Sequence, residues 1–278
     1  MRESVAKQVL EFYRSLPFNC RESVEEQAKA IKNRRLIDVY PPLSPVLEKA
    51  EKVLEVGCGC GWMSNSIGYH YDVEVTGIDF NPVAVKRASE VRDSLSLKPR
   101  FEVADLFDFK PRNVRYDLII SLGVLHHTGD CHAAIRHVCN ELVRPGGYCL
   151  LGLYHSYGRK PFLDHFKAMR EGGCSDEEMF QSYGALHSQV KDETLLRSWF
   201  RDQVIHPHET QHTQQEMNIL LSELGMEVQT TSINKFGPSV TGAALATLEK
   251  EYEGIAQTYL KQRIYFPGFF VFMAQKSG

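Results

Sequence analysis

The chain has 278 residues, 43% of them hydrophobic, enough to bury one substantial core with room for insertions. A formal charge of −3 and a pI near 6.4 give no basic field for a polyanion to follow, so nucleic acid is not an expected partner. Seven cysteines, odd in number and without the spacing of a disulfide scaffold or a zinc site, point to a reducing compartment.

Taken in chain order, Met1-Arg2-Glu3-Ser4 lacks the apolar core of a signal peptide, and a cytoplasmic protein is expected. Val5, Val9, Phe12 and Leu16 recur at helical spacing, which predicts a helix ending before Pro17. A second helix is expected over about 23–40, closed by Pro41 and Pro42. The short basic runs at 32–35 and 110–115 read as solvated surface.

Residues 52–62 then break from an aliphatic run into alternating glycines, Glu55-Val56-Gly57-Cys58-Gly59-Cys60-Gly61, before a helix resumes at Trp62. This strand–turn–helix layout lets backbone pass close to a polar ligand. No Lys-Ser/Thr follows, which excludes a P-loop, and Trp62 stands where the nicotinamide fingerprint wants its last glycine. Cys58 and Cys60 are too closely spaced for zinc ligands and read as small loop side chains.

A second strand, 74–78, ends on Asp79, placed to accept from both hydroxyls of a ribose. Asn81-Pro82 opens a helix through Leu95. A third strand, 100–104, ends on Asp105, and a fourth, 116–121, ends on Ser121 before Leu122-Gly123-Val124-Leu125-His126-His127. Asp130 caps the next helix, stopped by Arg144-Pro145-Gly146-Gly147, and a fifth strand covers 148–154. Strands alternating with helices imply parallel order and right-handed crossovers, with the ligand beyond the carboxyl ends of the strands.

Residues 155–212 interrupt that alternation. Short helices are expected over 161–170, from Ser175 with a Ser-x-x-Glu capping box to Glu178, and over 192–200. A helix from Thr213 with Glu216 as its box partner, a sixth strand at 227–233 and a helix over 241–263 follow. In that last helix Leu245, Leu248, Tyr252, Ile255 and Tyr259 form an expected packing seam. Residues 269–273 read as a buried closing strand, and the apolar run there is too short to span a bilayer.

The glycine run, Asp79, Asp105 and the segment after strand four, in this order, resemble the motifs of the class I S-adenosyl-L-methionine (SAM) methyltransferases. The resemblance implies SAM as cofactor, held by Glu55, Gly57, Cys58, Gly59, Gly61, Asp79, Phe80, Asp105, Leu106 and Ser121. It assigns Asp105 to the adenine amine, with Leu106 and Phe80 flanking the ring. It also implies that the leading helices form a lid bringing Tyr13, Phe18, Asn19 or Arg34 near the methyl donor; from the residues alone they cover the sheet edge equally well. In the family the last strand inserts antiparallel between strands five and six.

Methyl transfer is an in-line displacement that depends mainly on alignment in a desolvated site, with a general base where the acceptor carries a proton. His126 and His127 are candidates for that base, followed by Tyr154 and His155; a structural role for the His-His pair stays open. The insertion leaves strand five and hangs over the cleft, so Trp199, Asp202, His206 and His208, with Tyr13, are candidate acceptor-pocket residues. His208-Glu209-Thr210-Gln211-His212 spells a His-Glu-x-x-His motif, but Pro207 before it and the Thr213 cap after it make the stretch a loop, so an acceptor-pocket loop is expected and no catalytic zinc; whether the loop holds another metal stays open.

There is no Asn/Asp-Pro-Pro-aromatic tetrad after strand four and no Pro-Cys pair, and Ser121 stands where metal-dependent catechol-type enzymes have aspartate. A metal-independent enzyme of the quinone- and natural-product-associated type remains. The expected architecture is an α/β, doubly wound, seven-stranded, mostly parallel sheet with an antiparallel last strand. A helical lid (1–43), a SAM-binding core (44–154), a helical acceptor insertion (155–212) and the completion of the sheet (213–278) make up the chain. The expected function is methyl transfer to an O, N or C atom of a small molecule; the alternatives are a tRNA or protein acceptor, or a SAM-binding protein that transfers nothing. Oligomeric state is not legible.

Overall fold

The computed structural model describes residues 2–14, 17–19, 23–111 and 114–278; Leu16 of the expected first seam and Arg112 of the second basic run lie outside them. Helices α1 (Arg2–Arg14), α2 (Val24–Asn33) and α3 (Leu43–Leu47) precede strand β1 (Lys52–Val56). The core continues through α4 (Trp62–His70), β2 (Glu74–Asp79), α5 (Pro82–Ser94), β3 (Arg100–Val103), β4 (Tyr116–Leu122), α6 (Cys131–His137) and β5 (Val143–Tyr154). Three helices follow, α7 (Ser156–Glu171), α8 (Asp176–Leu186) and α9 (Glu193–Val204), then α10 (Gln214–Glu223), β6 (Met226–Thr231), α11 (Gly242–Lys261) and β7 (Phe269–Lys276).

The seven strands form one sheet in the order β3-β2-β1-β4-β5-β7-β6. The pairs from β3 through β5 are parallel, whereas β7 runs antiparallel to both β5 and β6, as expected of a closing strand inserted between them. Period-two alternation sends Leu54, Ile119, Leu151 and Phe272 into one apolar layer. Val53, Leu118, Ile120, Leu150 and Val271 enter the layer on the other face. Each such fully buried side chain stabilises the fold by about 1.5–3 kcal/mol before entropy is counted.

The second helix does not run on to Tyr40. It ends at Arg34, in extended backbone with φ −141 and ψ 122, and a 3₁₀ turn, Leu36–Val39, follows. Ile31 and Ile37 are both fully buried, and in one continuous helix they would point about 120° apart, so the chain bends to bury both. α2 packs against α4 and α5 on the face of the sheet, which leaves α1 and residues 17–19 at the mouth of the site.

Helix α7 begins at Ser156, not at Pro161, because the His155 side chain accepts the Gly158 amide as a cap. Pro161 forfeits one backbone bond near the start of this helix, and the burial of Arg159 and Phe162 beside it holds the turn in place. Strand β5 starts at Val143, earlier than expected, because a register shift against β4 between Tyr116 and Leu118 absorbs the Pro-Gly-Gly segment. α9 runs past Phe200 to Val204, and β6 closes at Thr231. The expected seam of α11 holds at Leu245 but fails at Ile255 and Tyr259, each 40% exposed; Glu249 and Ala256 take the buried positions.

Among the described residues the cysteines are all free, and no helix is long and apolar enough to cross a membrane.

Candidate functional site

The carboxyl ends of β1, β2 and β4 open on a cavity of about 740 Å³. The glycine loop forms one wall. Gly57 and Gly61 have φ of +71 and +78, and a Cβ would lie 2.3 Å from a Val124 methyl at the first and 2.7 Å from the Ala88 Cβ at the second. A Cβ at Gly59 would meet nothing within 4 Å, so bare backbone there faces free space. The loop is braced by its neighbours. Glu55 accepts the Ser64 amide at 2.8 Å and the Ser64 hydroxyl at 2.5 Å, pinning the start of α4, and burial pushes its carboxyl up to about 7.

Asp79 accepts the Gly59 amide at 2.9 Å with one oxygen and the Asn81 amide at 2.8 Å with the other, and burial raises its pKa. Asp79, Gly59 and Asn81 all line the cavity, and each carboxylate oxygen has a second lone pair beyond the amide it accepts, the capacity a pair of ligand hydroxyls requires. Asp105 spends one oxygen on the Phe107 amide at 2.8 Å, and with Phe80, Leu106 and Phe107 it lines the adjoining wall. Residues 17–19 close over this side: the Trp62 indole donates to the Asn19 carbonyl at 2.7 Å.

A buried polar group bounds the cavity elsewhere. Tyr13 from α1 donates to Asp202 from α9, and the Tyr154 hydroxyl lies 3.4 Å from the other Asp202 oxygen. Burial raises the Asp202 carboxyl and the Tyr13 phenol. His127 Nε2 is 4.0 Å from Asp202. Its Nδ1 lies 2.8 Å from the His208 carbonyl, which only an N–H can satisfy, so the Nε2 lone pair faces the His126 Nε2 at 3.1 Å. Burial lowers His127 to about 4, keeping it neutral.

Of the sequence-expected donor residues, Glu55, Gly57, Cys58, Gly59, Asp79, Phe80, Asp105 and Leu106 line the cavity. Gly61 stands behind it, packed on Ala88. Ser121 does not reach it: fully buried, its hydroxyl donates to the Val56 carbonyl at 3.1 Å and ties β4 to β1. Of the candidate bases, His127 lines the cavity while His126 and Tyr154 lie behind it. His155 is elsewhere, buried against Glu249 at 2.9 Å. Of the acceptor candidates, Tyr13 and Asp202 are lining residues. Trp199 bonds the Asn19 side chain at 3.3 Å, His206 packs on the His127 ring at 3.9 Å, and His208 bonds the Thr128 carbonyl at 3.0 Å, so these three support the wall rather than form it. Phe18 and Asn19 are at the mouth, whereas Arg34 is not.

Sequence reading missed three features. Trp62 counted only against a nicotinamide site, although it fastens the mouth. Arg159, with no exposed surface, forms a two-pronged pair with Glu209 at 2.9 and 3.1 Å and donates to the Gln203 carbonyl at 2.6 Å, anchoring the loop before α10. His132, Glu216 and His212 converge although they stand far apart or serve as caps in the sequence. The 206–212 stretch is loop, as expected, and its His-Glu-x-x-His residues separate: Glu209 faces Arg159 and His208 faces Thr128.

A methyltransferase-domain family model matches residues 25–231. Among curated relatives, tocopherol O-methyltransferase of Arabidopsis thaliana is 34% identical over 109 residues, covering 37% of this chain and 30% of the relative. Ubiquinone biosynthesis O-methyltransferase of Salmonella arizonae is 28% identical over 154 residues, or 53% and 62% of the two chains. The chain thus spans less than two thirds of the length of these relatives. Among solved structures, a plantazolicin methyltransferase in complex with SAH superposes with a TM-score of 0.52 at 17% identity, over 99% of this chain and 97% of that one. Magnesium protoporphyrin IX methyltransferase from Synechocystis PCC 6803, with bound SAH, gives 0.52 at 15% identity over 99% and 95%. These likenesses are of fold.

Proposed function

The chain belongs to the methyltransferase-domain family, and from that premise we propose that it transfers a methyl group from SAM to an oxygen, nitrogen or carbon of a small molecule, without a metal in the transfer itself. When bound, SAM supplies an electrophilic methyl on a sulfonium. The observation that carries the reading is that one cavity joins the Asp79 and Gly59 wall to the Tyr13, His127 and Asp202 group. Donor-binding and proton-handling groups therefore share one space.

In this reading Asp79 takes the ribose hydroxyls, Asp105 the adenine amine, and bare Gly59 lets the backbone approach the cofactor. α1 and residues 17–19 form the lid, and the segment 155–212 supplies the acceptor wall through Asp202. Lid and wall exclude water, and in that dry space alignment of the acceptor provides most of the rate. The Asp202 carboxylate takes up an acceptor proton where there is one, and neutral His127, its Nδ1 hydrogen held by the His208 carbonyl and its Nε2 lone pair turned to His126, lines the wall beside it. The acidic whole-chain charge and the free cysteines support a small-molecule acceptor and a cytoplasmic setting.

Incubation with SAM labelled in the methyl group and separated pools of phenols, amines and carboxylic acids tests this. Label should enter a small molecule, and Asp202→Asn should slow transfer by about 10²–10⁴-fold with donor affinity kept, the usual contribution of a positioned acid–base group. Label appearing only in RNA or protein, or nowhere, would overturn the acceptor class or the enzyme itself.

A further inference from the structure

A second cavity, of about 480 Å³, lies apart from the first, and His132 and Glu216 are among its walls. His132 comes from the first turn of α6, Glu216 from the first turn of α10, and His212 from the loop between α9 and α10. One ligand atom from each falls within 4.8 Å of the others. Glu216 Oε1 lies 2.5 Å from His132 Nε2 and 3.0 Å from His212 Nδ1, so one carboxylate oxygen sits between two imidazole nitrogens. We infer that these three residues bind a divalent transition-metal ion of the zinc type.

The donor set fits. Two imidazoles and one carboxylate suit zinc, cobalt or nickel, whereas magnesium and calcium take oxygen ligands. Bonds of about 2.0–2.2 Å at tetrahedral angles separate ligand atoms by roughly 3.3 Å, so each imidazole opens from Glu216 by less than about 1 Å and the two imidazoles, within 4.8 Å of each other, close by no more than about 1.5 Å to hold an ion.

The surrounding bonds prepare the same atoms. The Thr210 hydroxyl donates to the His126 carbonyl at 3.1 Å, and its lone pair is 2.9 Å from His212 Nε2. A hydrogen on Nε2 pointing to that lone pair leaves Nδ1 bare toward Glu216, the tautomer that a metal requires and that a simple neutral His–carboxylate pair does not. The His212 backbone is fixed on both sides, its amide to the Tyr154 carbonyl at 2.9 Å and its carbonyl to the Ser156 amide at 2.9 Å. Glu216 Oε2 is taken by the Thr213 amide at 3.2 Å, which leaves Oε1 for the ion. The adjoining cavity, whose walls carry Arg136 and Lys250 beside Glu223 and Glu249, supplies water for the remaining coordination position.

The ion is a clasp rather than a reactant. It joins α6 and α10 to the loop whose Thr210 bonds the His126 carbonyl and whose His208 carbonyl orients His127. Only His212 of the His-Glu-x-x-His stretch takes part, and the second histidine and the carboxylate come from outside it.

Titration of the full chain with Zn²⁺ by calorimetry, and with Co²⁺ by visible absorption, tests the site. One equivalent should bind with a tetrahedral cobalt spectrum, and His132→Ala and Glu216→Gln should each weaken binding at least tenfold. Gln keeps the capping box of α10, and His132 is surface-accessible, so both variants should fold, as circular dichroism will verify. His208→Ala should leave the affinity unchanged. No saturable binding, equal affinity in the wild type and both variants, or loss in His208→Ala would overturn the site. Because the readout is binding, failure of the methyl-transfer assay leaves this result separate.

Discussion

The indole N–H of Trp62 donates to the backbone carbonyl of Asn19 at 2.7 Å, and the Asn19 side chain in turn accepts from Trp199 at 3.3 Å. Asn19 has φ +54, in the left-handed region that asparagine adopts more readily than most residues. The helix that follows the glycine loop and the segment 155–212 thus fasten the same residue at the mouth of the cavity. Trp62→Phe keeps an aromatic ring, though a smaller one, and removes the bond, so SAM should bind about 3–10-fold more weakly, the worth of one neutral hydrogen bond. Calorimetry gives the answer, and an unchanged dissociation constant would mean that this closure does not help to hold the donor.

Asp79 serves the loop and the proposed ribose at once. Its removal loses the bonds to the Gly59 and Asn81 amides as well as any to ligand. Asp79→Ala should therefore weaken SAM binding by about 1–3 kcal/mol. Asp79→Asn, which keeps one acceptor oxygen, should fall between the two. An alanine variant that binds SAM as the wild type does would remove Asp79 from the donor site.

The glycines of the loop separate packing from access. Gly57→Ala sets a methyl 2.3 Å from Val124 at a positive φ and should destabilise the fold by about 2 kcal/mol or more, with part of the loss restored by Val124→Ala. Gly59→Ala meets no neighbour, so it should cost only about 1 kcal/mol of backbone strain yet impair SAM binding more than Gly57→Ala does in its folded fraction. Thermal melts with and without SAM distinguish the two effects.

The cavity wall proposed to hold the donor is legible in the sequence because its signals are local: glycines at fixed spacing, and carboxylates at strand ends, which a parallel sheet brings to one edge. The closing antiparallel strand was likewise legible once the family resemblance was seen. The acceptor side was less so. Asp202, His127 and Tyr13 meet across three separate elements, and nothing in the spacing of the histidines tells His127, which faces the cavity, from His155, which faces Glu249. Ser121 stood at the expected strand end but, on a central strand, turned inward to its neighbour's carbonyl. The bend at Arg34 was hidden because helical periodicity over 23–33 says nothing of where Ile37 must be buried.

Acid should destabilise the fold. Buried His127 and His206 are lowered to about 4 and about 3, and His187 to about 4, while in the unfolded chain each titrates near 6.5. Between those values the unfolded state binds the extra proton, so stability is complete above 6.5 and falls as pH drops toward 4. Glu55, raised to about 7, has the opposite sign: its contribution is full below about 4.5 and is lost as pH rises through 7. Urea unfolding from pH 7 to 4.5 should show a net fall with acid. In His127→Asn the slope should be shallower by up to one proton, and the histidine's contribution at neutral pH is at most about 3 kcal/mol. A variant with the wild-type slope would show that His127 is not held neutral.

Among the described residues Arg159 is the largest side chain without exposed surface, and its charge is balanced within one hydrogen-bonded group. Both prongs reach Glu209, a third bond goes to the Gln203 carbonyl, and the guanidinium lies 4.0 Å from the Tyr154 ring centre. The Arg159 charge also keeps the Glu209 carboxyl below its usual range despite burial. Removing one partner leaves the other charge buried alone, so Arg159→Met or Glu209→Gln should each cost about 3–5 kcal/mol, whereas the double variant should recover much of that loss. The recovered stability should not bring activity back. Without the pair, the stretch carrying His206 and His208 loses its anchor, and with it the carbonyl that orients His127. The expected double variant is folded, binds SAM as the wild type does and transfers methyl slowly; full activity in it would show that the pair stabilises the protein without setting the geometry of the wall.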